Sequence, residues 1–76
     1  MEKINNDIQV KITDDKEVGV KLVFRCYISE NTALFPMTVE GSIWKGFTLK
    51  DFKKECIEDY ERQYKKVELV ETFIEN

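Results

Sequence analysis

Val18-Gly19-Val20-Lys21-Leu22-Val23-Phe24-Arg25-Cys26-Tyr27-Ile28 is the stretch on which the fold turns. Val20, Leu22, Phe24, Cys26 and Ile28 form an unbroken apolar row at even positions, and Lys21, Val23, Arg25 and Tyr27 form a mixed row between them. Successive side chains of an extended chain point to opposite faces, so this pattern predicts a strand with one face in a core and the other open. Upstream, Ile8, Val10 and Ile12 alternate with polar neighbours over 8–13, and Asp14-Asp15-Lys16-Glu17 supplies turn chemistry. The short connection and shared parity predict an antiparallel hairpin with both apolar rows on one side.

Downstream, Ser29-Glu30-Asn31-Thr32 reads as a turn, and Phe35, Met37, Val39 and Ile43 alternate along a third strand placed at about 35–42. Pro36 has no N–H to give a ladder, so this segment is an edge strand, starts after Pro36, or bends there. Gly41 marks a bulge or the strand end, and Trp44 lies on the opposite parity from Val39 and Ile43 unless such a bulge shifts the register.

Phe47-Thr48-Leu49-Lys50-Asp51-Phe52 starts a helix. Thr48 suits the N-cap, Asp51 stands at the capping-box position, and Phe47 and Phe52 occupy the two ends of a hydrophobic staple. Leu49, Phe52, Cys56, Ile57, Tyr60 and Tyr64 then fall on one stripe, with Lys54, Glu58, Glu61, Arg62 and Lys65 outside it. The closing segment Val67–Ile74 is β-rich with apolar residues on both parities: Val67, Leu69 and Phe73 on one, Val70, Thr72 and Ile74 on the other. The expected architecture is a single α+β domain over 1–76: a small, mainly antiparallel four-stranded sheet with one helix packed on one face, in the order β-β-β-α-β.

Composition narrows the function. The chain has 42% hydrophobic and 36% charged residues, a net charge of −3, two Cys and no His. Without His, the usual neutral-pH base and the commonest metal ligand are missing, and no pairing of Ser29, Ser42, Thr32, the thiols or the carboxylates singles out a nucleophile and its base. Asp14-Asp15 reads as turn chemistry, and no calcium-loop spacing follows it. No catalytic site, cofactor or metal is therefore expected. Cys26 and Cys56 lie inside apolar patterns and are read as buried, reduced thiols. No run reaches the roughly 18 apolar residues of a membrane span, so a soluble cytoplasmic protein is expected. Lys occurs ten times and Ile seven, while Ala and Pro occur once each. That bias is the mark of an AT-rich gene and associates the chain with the small accessory proteins of phages and mobile elements in low-GC bacteria.

The expected function is thus a non-enzymatic protein-binding or regulatory module, an accessory or inhibitor protein. Four strands about 4.8 Å apart make a sheet roughly 19 Å wide, whereas a helix is only about 10–12 Å across. One face stays open. Val23, Tyr27, Val70 and Ile74 are read as its apolar residues, either simply solvated or a surface for a partner or for a homodimer, with Trp44 closing the end of the core or serving as a partner anchor, and the edge near Pro36 a site for strand addition. The alternative is a single-stranded nucleic-acid surface built from Lys11, Lys21, Arg25 and Tyr27, against which the net negative charge counts.

Overall fold

The structure is a computed structural model that describes residues 1–75. Its elements in chain order are β1 (Glu2–Ile4), β2 (Val18–Ser29), β3 (Thr32–Ala33), β4 (Met37–Ile43), α1 (Leu49–Glu61) and β5 (Lys66–Ile74). All pairings are antiparallel: β1 on β5, β5 on β2, and both β3 and β4 on the far side of β2. The fold is α+β, one five-stranded sheet with one helix across it. At about 3.3 Å per residue, the 12 residues of β2 account for most of the molecule's 42 Å length.

The even row of β2 is the core. Val20, Leu22, Phe24 and Cys26 are fully buried and are joined by Ile43, Leu49 and Ile74. Phe52, Cys56, Ile57 and Tyr60 pack against them from the helix, as its periodicity predicts, and Tyr64, expected on the same stripe, packs from the bend beyond the helix end. Tyr60 meets Phe24 edge-on at 5.3 Å between centroids, a favourable aromatic geometry. Phe52 lies so close to Gly41 of β4 that a Cβ there would sit 2.8 Å from the ring. Only glycine lets the helix approach β4 at this point. Ile28 leaves the even row: a register shift between Tyr27 and Ser29 turns it out, 57% exposed.

The N-terminal hairpin does not form. Residues 8–13 carry no strand, and β1 lies upstream, paired with the end of β5 through Glu2↔Ile74 and Ile4↔Thr72. Each side of β2 is already occupied, by β5 on one and by β3 and β4 on the other, so 8–13 cannot pair with β2 as a hairpin requires. That segment instead packs beside the core: Val10 and Ile12 are half-buried against it, while Ile8 stays 47% exposed. The turn chemistry holds locally, with the Lys16 amide donating to Asp14 Oδ1 at 3.2 Å. The third strand begins at Met37 rather than Phe35, after Pro36, and β3 is a separate short piece.

The mixed parity of β5 has a simple cause. The register passes from Val23↔Glu71 to Phe24↔Leu69, so Val70 is an extra residue, a β-bulge. The bulge switches the parity: Val67 and Leu69 below it, and Thr72 and Ile74 above it, all lie on the helix side. Asn6 sits against this irregularity. Its amide donates to the carbonyl of Val70 at 3.1 Å and reaches that of Leu69 at 3.4 Å. Its Oδ1 accepts from the fully buried Thr72 hydroxyl at 2.9 Å, and its backbone carbonyl accepts from the Lys53 amine of the helix. One residue, through its side chain and its backbone carbonyl, thus ties the N-terminal segment, the bulge and α1 together.

Helix α1 starts where its sequence requires. Thr48 Oγ1 accepts from the Asp51 amide at 3.2 Å, the Thr48 amide donates to Asp51 Oδ2 at 3.1 Å, and Phe47 packs edge-on against Phe52. The hydrogen bonds from the Thr48 backbone and side chain hold the Asp51 carboxyl below its ordinary value, with Lys50 and Lys54 adding to the effect.

Two predictions follow from these contacts. Asn6→Ala leaves the Thr72 hydroxyl and the bulge carbonyls short of a partner and should lower stability by about 1–3 kcal/mol in urea unfolding. For Asp51 the folded-state pKa lies below the unfolded one, so its contribution is complete above the unfolded value of about 3.9 and drains away as pH falls through the folded value. Thermal melts should therefore separate wild type from Asp51→Asn at about pH 6, and the gap should close as the solution is acidified below about pH 4.

Candidate functional site

The open face of the sheet carries Lys21, Val23, Arg25 and Tyr27 from β2, as their parity requires. Across from them stand Phe73, Glu71, Glu68 and Lys66 of β5 and, on the other side, Glu40 and Thr38 of β4. Charged and apolar side chains alternate along β2, and across the strands Lys21 faces Glu40 and Arg25 faces Glu68. The Lys21 amine lies over the Phe73 ring at 4.5 Å, and the Lys66 amine lies over Tyr27 at 4.9 Å. Lys66 also pairs with Glu68 at 3.3 Å. Hydrogen bonding from the Tyr27 hydroxyl and then from Lys66 holds the Glu68 carboxyl below its ordinary value. This face is a lattice of cation–ring and acid–base pairs, with Val23 half-buried between Glu71 and Thr38.

The remaining sequence-derived candidates separate. Ile74 is corrected to the core: it is 8% exposed and on the helix side, because the bulge at Val70 reverses the parity of the last residues of β5. Phe73 takes its place on the open face. Val70 is the bulge residue itself, half-buried. Lys11 is likewise corrected: it lies exposed in the irregular segment beside the helix, not on a strand with Lys21, Arg25 and Tyr27, because 8–13 found no ladder. Trp44 is 44% exposed and stacks at 5.1 Å on Phe47 just beyond β4.

The outer edge of β4 is the feature that the alternation had left open. In an antiparallel strand, the N–H and C=O of one residue both point to the same side, and those of the next point the other way. Three bonds identify the sides. The Cys26 carbonyl accepts from Leu34 on the β3 and β4 side, whereas the Gly19 and Tyr27 carbonyls accept from Glu75 and Lys65 on the β5 side. Even residues of β2 therefore bond to β4. Their partners Met37, Val39, Gly41 and Ile43 are the β4 residues that bond inward. It follows that the N–H and C=O groups of Thr38, Glu40 and Ser42 point outward. Trp44 fits the same phase: its amide and carbonyl both turn outward and exchange 3.0 Å bonds with Phe47, which already occupies the place of a neighbouring strand.

Among the described residues, no strand covers this edge. It runs for seven residues, about 20 Å, with Phe35 at one end, 92% exposed, and Trp44 at the other. Alternation places Phe35 at the start of the apolar row of the third strand. The register ends at Phe24↔Met37, which leaves Phe35 outside β4.

No protein-family model matches the chain, and no curated protein or solved structure is similar enough to it to supply a relative. The assignment of this edge rests on its geometry.

The phase of β4 can be checked by proline substitution. Glu40→Pro removes an outward N–H and should leave the melting temperature within a few degrees of wild type, since proline is tolerated on the free side of an edge strand. Val39→Pro removes an inward ladder bond and should lower stability by about 1–3 kcal/mol or more. Comparable losses for the two would reverse the assigned phase.

Proposed function

We propose that this chain is a non-enzymatic protein-binding module that takes an extended segment of another protein as an additional strand along β4. The observation that carries this reading is the bare, nearly uncharged edge. Soluble proteins normally blunt such an edge with lysines, inward charges, bulges or a covering element, because exposed N–H and C=O rows template further pairing. From Met37 to Ile43 the one charged residue is Glu40, and the ladder to β2 runs without a bulge. Pro36 guards only the entrance. The Trp44–Phe47 bridge supports the same reading, since it begins a ladder on the outer side that an incoming strand would continue. Phe35 and Trp44 then offer aromatic surface at the two ends, the residue type that dominates binding energy at interfaces. The AT-rich composition favours a setting in a phage or mobile element, where such a module acts as an accessory or inhibitor protein in the host cytoplasm.

Amide hydrogen exchange on the captured complex tests the proposal. The Thr38, Glu40 and Ser42 amides should exchange freely in the isolated chain and slow by tenfold or more when the partner is bound, and Glu40→Pro should lose the partner. A partner retained by Glu40→Pro, with those amides still unprotected, would overturn strand addition.

A further inference from the structure

We infer that the segment received by β4 is basic, with Lys or Arg on the side chains that turn toward α1; the inference rests on the strand-addition reading and names its partner chemistry. The helix has two flanks. Lys53 faces the N-terminal segment through its bond to Asn6, while Phe52 faces β4 through its contact at Gly41. Helical spacing puts Glu55 and Asp59 on the Phe52 side, three and seven residues further along. This flank forms a depression of about 400 Å³ lined by Phe52, Glu55, Cys56, Glu58, Asp59 and Arg62. A second, of about 350 Å³, is lined by Phe47, Asp51, Lys54, Glu55 and Glu58. Carboxylates outnumber cations three to one in each. Arg62 is already directed at Asp59, 3.9 Å away on the exposed surface.

An apolar floor with an acidic rim suits a side chain with an aliphatic stem and a cationic head. Along a strand added to β4, the residues turned toward α1 would lay their stems on Phe52 and Phe47 and bring their heads to Glu55, Glu58 and Asp59. The Trp44–Phe47 ring pair gives a cation a further surface at the end of the edge. On the open side the edge presents Glu40 between Thr38 and Ser42. A second copy of the chain fits poorly. Its β4 contains neither Lys nor Arg, so edge-to-edge pairing sets an acidic flank and Glu40 against their equivalents, a like-charge arrangement that suppresses the wrong partner.

The test uses the whole chain and capped nine-residue peptides that alternate Val with Lys, Val with Glu, or Val with Thr. Trp44 is the single tryptophan and its fluorescence reports binding at the edge. The Lys peptide should bind at least about tenfold more tightly than the Glu peptide, and its affinity should fall as salt is raised. Exchanging both Glu55→Lys and Asp59→Lys should reverse the preference, and Glu40→Pro should abolish binding of every peptide. Equal binding of the Lys and Glu peptides, still lost in Glu40→Pro, sinks the basic-partner inference and leaves strand addition standing. Lys-peptide binding that survives Glu40→Pro, or no binding by any peptide, sinks both. A dimer in sedimentation equilibrium that Glu40→Pro dissociates makes the occupant a second copy and overturns the inference.

Discussion

Strand β2 is the constraint on which the rest depends. Val20, Leu22, Phe24 and Cys26 can leave water only if the same face is roofed and both edges are paired. The helix supplies the roof, and β5 and β4 supply the edges. Each side of β2 accepts one ladder, so once these are in place every other segment must find a different position. The N-terminal residues illustrate the outcome, with β1 moved to the far edge of β5 and 8–13 packed as irregular chain beside the core.

The two faces of the sheet resolve their exposure differently. The helix side is dry and apolar, closed by Asn6 where the bulge at Val70 frees two carbonyls. The open side meets water with cross-strand charges and amines laid over aromatic rings, so its apolar residues are covered by neighbours within the chain. In the proposed reading, the place for a partner moves from the open face to the β4 edge. There the outward N–H and C=O groups of Thr38, Glu40 and Ser42 have a direction and a register that an apolar patch lacks. Beside it runs the acidic flank of α1, so the proposed strand addition and the proposed charge preference fall on one surface.

Much of the fold was legible from local pattern. The capping box at Thr48 and Asp51 and the staple of Phe47 on Phe52 involve residues within five positions of one another, so their chemistry is complete in the sequence. The helix stripe and the even row of β2 are equally plain, since each follows from the period of its own element. Pro36 flagged the start of the third strand without fixing it: the placement at 35–42 begins two residues early, and the strand starts at Met37. Ile74 and Lys11 were misplaced for a shared reason. Parity carries through a strand only while no residue is inserted, and an expected hairpin forms only where that edge of its partner strand is vacant.

For this protein the amino-acid order by itself determined which segments are periodic, where α1 starts and which face of β2 seeks the core, since these rest on neighbours in the chain. The tertiary structure alone decided that 8–13 would have no partner, that Val70 would bulge and carry Ile74 inward, and that Thr38, Glu40 and Ser42 would be left bare. Hydrogen-bond phase and ladder vacancy belong to pairs of distant strands, so no single stretch of sequence contains them.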